Sequence, residues 1–328
     1  MASLKFNNIY IKDYFSVAGP MEKVGQIRKF DLIADDYYFG ESTFEKAEIK
    51  MQRVVIDNIL YRNRLGINNI DCIIGGDLTN QIAVTNYSVR NYNTSFLGLY
   101  NACATFPEGL IIGANLLNNE NINNIIVLTS SHNLTAEKQF RYPVEYGAPK
   151  KVTSTFTATG SVGALLSKQR SKVKIESATI GKVIDLDQKD VNHMGAVMAP
   201  AAANVLYNHL TDLGRKASYY DLIVTGDLGE IGSDIFEEYL MINYDIKIKN
   251  YIDSGEEVFA KSQDINAGSS GPVTLPLVLF NKILRGNKFK KILIIGTGAL
   301  HSPAMVNQKD SIPGIAHAVS LEVINWFF

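Results

Sequence analysis

The sequence predicts a mixed α/β protein assembled from two similar halves, and three observations carry that expectation. First, "DCIIGGDLTNQIA", beginning at Asp71, returns 150 residues later as "DLIVTGDLGEIGS", beginning at Asp221; each copy is a β-branched apolar run, then Gly-Asp-Leu, then a turn. Second, "NNIIVLTSSHN" from Asn123 and "KKILIIGTGALHSP" from Lys290 are near-continuous apolar runs that end in small residues and a histidine. Runs of this kind suit strands buried on both faces, as in sheets sandwiched between helices. Third, a helical pattern precedes each copy of the Gly-Asp-Leu phrase. A single duplication at about half the chain length points to two packed halves rather than to a solenoid, whose repeats are far shorter.

Taken in order, Ser42-Thr43-Phe44-Glu45 reads as a capping box. Phe44, Ala47, Met51, Val55 and Ile59 then recur at helical spacing until Gly66 stops the run. In the second half, Pro200 suits the first turn of a helix carrying Val205, Leu206, His209, Leu210 and Leu213 and ending near Gly214. Each half holds one more helix with a small-residue entrance: Cys103 to Leu117 in the first, and "NAGSSGPVTLPLVLFNKILRG" from Asn266 to Gly286 in the second. "IAHAVSLEVI" near the end reads as a strand. Sites in such folds lie at strand ends where halves meet, so the two helix entrances are expected to face one pocket.

Composition narrows the function. The 328 residues are 46% hydrophobic and 20% charged, as in an ordinary globular chain. Thirty-two basic against 33 acidic residues leave a net charge of −1, with no basic block to grip a phosphate backbone, so no nucleic-acid partner is expected. The opening "MASLKFNNIYIKDY" does not read as a signal peptide, and no run approaches the roughly 20 apolar residues of a membrane span. Membrane contact, if made, is therefore peripheral. The two cysteines, Cys72 in an apolar run and Cys103 at a helix start, form neither a disulfide framework nor a zinc site. With no Walker or dinucleotide fingerprint either, no cofactor or resident metal is expected.

Cys103 has a physical route to an activated thiolate, because a helix N-terminus favours negative charge. The competing reading is a small residue at a tight helix entrance. A nucleophile also needs a base. Of the histidines, His209 falls on an amphipathic helix and His317 in a strand, which suits packing, whereas His132 and His301 follow the paired strands and can approach a shared pocket. Asp77 and Asp227 sit at matching turns, where a carboxylate commonly fixes the backbone. Asn80 and Gln81, found only in the first copy, are better candidates for polar contacts. The stretch Ser130 to Lys150 reads as a loop in which Lys138, Arg141, Lys150 and neighbouring Lys151 lie near aromatics, either as a solvated face or as attraction for a dicarboxylate. "NHMGAVMAPAAA" from Asn192 suits a pocket lid or a close-packed connector.

Together, "NACAT", "NAGSSGP", "GTGALHSP" and the duplicated halves resemble the thiolase superfamily. "GGDLTNQI", "SSHNLTAEKQFRYPVEYG", "GAVMAPAA", "SYYDLIVTGDLG" and "IPGIAHAVSLE" closely resemble the stage V sporulation protein AD family of spore-forming bacteria, over about residues 15–323. The resemblance implies a five-layered αβαβα thiolase fold, here divided as 1–185 and 186–328. It implies a soluble protein at the spore inner membrane that binds dipicolinic acid, as the free acid or its calcium chelate. That protein works with the other SpoVA channel proteins in uptake by the developing spore and release at germination. Superfamily analogy adds a homodimer.

Cys103 matches the superfamily nucleophile. Where condensing enzymes carry a histidine this sequence has Asp264, Ile265 and Asn266, and "GTGALHSP" lacks the second thiolase cysteine. The expectation is a binding protein with no catalytic residue, its ligand held by Cys103, Ala102, Asn80, His132, Ser269, Ser270 and His301. The alternative is an acyltransferase with Cys103 as nucleophile and His301 or His132 as base.

Overall fold

The computed structural model describes residues 2–140 and 150–324. The first half contains β1 (Ala2–Lys5), β2 (Tyr10–Ala18), α1 (Pro20–Lys23), β3 (Leu32–Ile33), α2 (Phe44–Asn63), β4 (Cys72–Gly76), α3 (Ala83–Val89) and β5 (Ser95–Gly98). It continues through α4 (Thr105–Leu116), β6 (Asn124–Ser131), α5 (Asn133–Phe140), β7 (Phe156–Thr157) and β8 (Gly160–Ser167). The second half runs through β9 (Val173–Ile180), α6 (Met194–Leu213), β10 (Leu222–Thr225), α7 (Gly229–Tyr244), β11 (Tyr251–Asp253), β12 (Ser269–Ser270) and α8 (Thr274–Val278). It ends with β13 (Lys291–Ala299), α9 (Pro303–Asn307) and β14 (Gly314–Val323).

The main strands follow one another in the order β11-β10-β13-β14-β9-β2-β8-β6-β4-β5. Read inward from either edge, the pattern is the same. β4 pairs in parallel with β5 and β6, then β8 and β2 follow antiparallel; β10 pairs in parallel with β11 and β13, then β14 and β9 follow antiparallel. The sequence echo is thus a repeat of topology. In this order β9 takes the place in the second half that β2 holds in the first, and the two meet at the centre of the sheet.

Three packed cores separate the layers. Met51, Val55, Ile56 and Ile59 of α2 cover the outer face of the first half-sheet, and Ala202, Val205 and Leu206 of α6 with Phe236 and Leu240 of α7 cover that of the second. Between the half-sheets, α4 touches β4 and β6 on one side and β13 and β14 on the other. There Phe106 of α4 meets Phe280, in the π-helical turn Leu279–Leu284 that continues α8, edge to face at 5.9 Å. The result is the expected αβαβα stack, with the two buried helix entrances in its middle layer.

Some local expectations need correction. The N-cap of α2 is Thr43, not Ser42: the Thr43 hydroxyl accepts from the Lys46 amide, and Glu45 is drawn away to an ion pair with Lys138 at 2.5 Å. The helix ends on Arg64 in the left-handed conformation, before Gly66. Pro200 lies inside α6, which starts at Met194, so "NHMGAVMAPAAA" is mostly helix and not a lid. A mid-helix proline loses one backbone hydrogen bond; here Pro200 is buried among alanines, and the packing of α6 supports it. At Gly195 the helix presses on Gly232 of α7 so closely that a Cβ on either would stand within 2.8 Å of the other's backbone. The Ser130 to Lys150 stretch is in part the helix α5, and Arg141 lies outside the described residues.

Candidate functional site

The turn Ala102–Ala104 leads into α4 and presents Cys103. Ala102 adopts φ +48°, a left-handed conformation that is costly for a residue with a Cβ, and the Thr105 hydroxyl ties the turn by donating to the Ala102 carbonyl at 2.8 Å. A small residue is needed here for a tight helix entrance, as the sequence suggests. The opposing entrance is built differently. β12 pairs in parallel with β7, Ser269 with Phe156 and Ser270 with Thr157, and the chain then turns at Gly271 with φ +106°. A Cβ at Gly271 would stand 2.7 Å from the Ser131 hydroxyl, so a glycine is required where the amide is aimed inward.

Both entrances open on one cavity of about 330 Å³. Cys103, Ala102, Asn80, Ser270 and His301 line it, together with Thr155, Thr157, Asp227, Met194, Met198, Glu137 and Phe140. His301 packs against the Phe140 ring at 5.2 Å, and Asn80 accepts from the Tyr100 hydroxyl at 3.3 Å on the rim. Five of the seven expected positions therefore converge. Two do not line the cavity. Ser269 precedes Ser270 in a strand, where alternate side chains face opposite ways, and its buried hydroxyl pairs with Thr274 at 2.9 Å. His132 is 1% exposed, bonded through Nε2 to the Tyr37 carbonyl at 2.8 Å and stacked on Phe44, so it ties the 37–44 segment to the end of β6.

Two other histidines, His209 and His317, pack, as their positions suggest. His209 bridges Thr179 and Tyr220, and His317 lies 3.0 Å from the Asn101 amide nitrogen and accepts from the Gly181 amide. The lysines near aromatics are held by acids: Lys150 by Glu137 and Lys151 by Asp190, each at 2.9 Å.

The residue that sequence reasoning set aside is Asp227. Its carboxylate accepts from the Thr297 hydroxyl at 2.8 Å, from the Gly271 amide at 3.0 Å and from the Cys103 thiol. Burial pushes this carboxyl up to about 7, against the lowering effect of those three donors. Burial and the neighbouring Asp227 charge together push the Cys103 thiol well above its ordinary value. Of the two readings of this cysteine, activation by the helix N-terminus is thus opposed, and the neutral thiol is favoured. Asp77, its counterpart, does fix its turn: it accepts from the amides and hydroxyls of both Thr79 and Thr85. In the second copy those threonines are Gly229 and Ile235. The local amides of Leu228 and Gly229 turn instead to Asp253, which frees Asp227 for the cavity. The loss of Thr79 and Thr85 between copies is the signal that could have separated the two aspartates.

A duplicated αβαβα stack with a cysteine at the entrance of its central helix defines a protein of the thiolase-fold class. Solved structures agree: a variant of OleA from Xanthomonas campestris aligns with a TM-score of 0.61 at 14% identity, covering 98% of this chain and 100% of that one. The 3-oxoacyl-[acyl-carrier-protein] synthase III of Aquifex aeolicus VF5 aligns with a TM-score of 0.54 at 13% identity, covering 98% and 99%. Within that class, the chain belongs to the stage V sporulation protein AD (SpoVAD) family, whose sequence model matches residues 2–322. Stage V sporulation protein AD of Bacillus subtilis (strain 168) is 38% identical over 319 residues, spanning 96% of this chain and 94% of that protein.

Proposed function

We propose that this chain is a non-catalytic thiolase-fold protein of sporulation that binds dipicolinic acid, as the free acid or its calcium chelate, in the Cys103 cavity. In this reading it serves uptake of that ligand into the developing spore and its release at germination, beside the other SpoVA channel proteins. The observation that carries the non-catalytic part is the Cys103–Asp227 contact. A nucleophilic cysteine needs a stabilised thiolate, and a carboxylate accepting the thiol proton works against one. The hydroxyls of Ser270, Thr155 and Thr157 supply donors for carboxylates, while Met194, Met198 and Phe140 supply apolar surface for a ring. Attachment to the spore inner membrane is peripheral in this proposal; among the described residues no helix is long and apolar enough to cross a membrane. A homodimer is proposed by analogy with the superfamily.

The fold is shared with condensing enzymes, so acyl transfer from Cys103 is the reading to test against. Saturable dipicolinate binding by calorimetry, weakened by Cys103→Ala, with no mass adduct on Cys103 after incubation with acyl-CoA, is the expected result. An acyl adduct on Cys103, or absence of dipicolinate binding, overturns it.

A further inference from the structure

Asp227 stands where the charge of a small anion has to be met. Its carboxyl group is 1% exposed, on the cavity wall beside Cys103, Ser270 and Gly271. The partners it has, a thiol, a hydroxyl and an amide, bring no positive charge. The titratable groups around it do not compensate. Cys103, from the turn before α4, is neutral, and Asp253 at the end of β11 is a second acid, occupied by Thr225 and three backbone amides. Across the cavity stand Glu137, ion-paired with Lys150, and His301. Among the described residues, no ion pair joins Asp227 to a lysine or arginine. A dicarboxylate entering this chamber would lie against an unneutralised buried carboxylate, and a partly dry site screens that repulsion far less than water does.

Resting on the ligand reading above, we propose that the cavity takes up its dicarboxylate together with one proton from solvent, and that the proton lodges on Asp227. The carboxyl group then changes from a repelling anion to a hydrogen-bond donor toward the ligand. Burial alone brings this group near neutrality in the free protein, so the proton is readily supplied there. A ligand carboxylate beside it acts in the same direction. Proton uptake on binding means that affinity falls as pH rises above about 7, by up to about tenfold per pH unit. Asp227 is thus a selectivity residue: it disfavours anions that cannot share a hydrogen bond with a protonated carboxyl group.

The test is calorimetry of calcium-free dipicolinate, itself a dianion throughout the range, in buffers of differing ionisation enthalpy at about pH 8. The expected result is close to one proton taken up per ligand by the wild type and almost none by Asp227→Asn, whose affinity is flat with pH. Wild-type binding without proton uptake overturns the proposal and leaves the ligand reading intact, as does uptake that survives in Asp227→Asn. Absence of binding at every pH overturns both. Should Asp227→Asn not fold, Cys103→Ala removes one donor to the carboxylate and should move the pH midpoint of affinity upward; an unmoved midpoint counts against the proposal.

Discussion

Asp71 and Asp221 perform the same task in the two halves. The Asp71 carboxylate accepts from the amides of Asn123 and Asn124 where β6 begins, and Asp221 accepts from those of Lys290 and Lys291 where β13 begins. Each aspartate sits at the start of one parallel strand and holds the start of its neighbour. The repeat is therefore preserved at the level of individual hydrogen bonds, and these two carboxylates set the register of the strand pairs that carry the cavity at their other ends.

Asp71→Ala leaves the partly buried Asn124 amide and the exposed Asn123 amide without their acceptor. Loss of stability of about 1–2 kcal/mol is expected. Asp221→Ala should cost less, because Asp221 is exposed and water can replace it. Urea denaturation followed by circular dichroism measures both, and equal losses would contradict the role given to burial.

Cys103 should alkylate slowly. With the thiol held above its ordinary value, iodoacetamide at neutral pH is expected to modify it more slowly than a free cysteine, and Asp227→Asn should raise the rate at Cys103 but not at buried Cys72. Mass spectrometry of the digested protein assigns each adduct. A wild-type Cys103 that reacts as fast as a catalytic thiol would refute the protonated state.

Glu22 makes stability depend on pH. It is fully buried in α1, accepts from the Thr159 amide at 2.9 Å, and burial pushes its carboxyl from 4.5 up to about 7. Between those values the folded chain holds a proton that the unfolded chain has released, so this contribution is complete below about 4.5 and is lost as pH rises through about 7. The lost stability is about 3 kcal/mol. His209 and His317, both lowered to about 4 by burial, act in the opposite sense below their ordinary value of 6.5. The difference between wild type and Glu22→Gln cancels them, and it should fall across this window in favour of the glutamine variant. A difference that does not change with pH would show that Glu22 is ionised throughout.

How much of this was legible beforehand depends on whether the cause was local. The strands β4, β6, β10 and β13 declare themselves by unbroken apolar runs, and the repeat by its Gly-Asp-Leu turns. The convergence of Cys103 and Ser270 follows from two helices whose entrances share the middle layer. His132 was beyond reach because what captures it, Tyr37 and Phe44, lies far upstream in sequence and meets it only through packing. His301 escapes that fate by standing one position further beyond its strand. Asp227 was misjudged because a repeated residue invites one explanation for both copies, whereas the environments diverged around it.

Gly195 and Gly232 bring α6 and α7 together backbone against backbone, so the helix turn bearing Met194 and Met198 has nowhere to withdraw. Only the two thioether side chains can yield, by changing rotamer. The chamber's width is consequently decided when the chain folds and not when a guest arrives. A thin, rigid guest slips in at little cost, whereas a branched one would have to prise two helices apart.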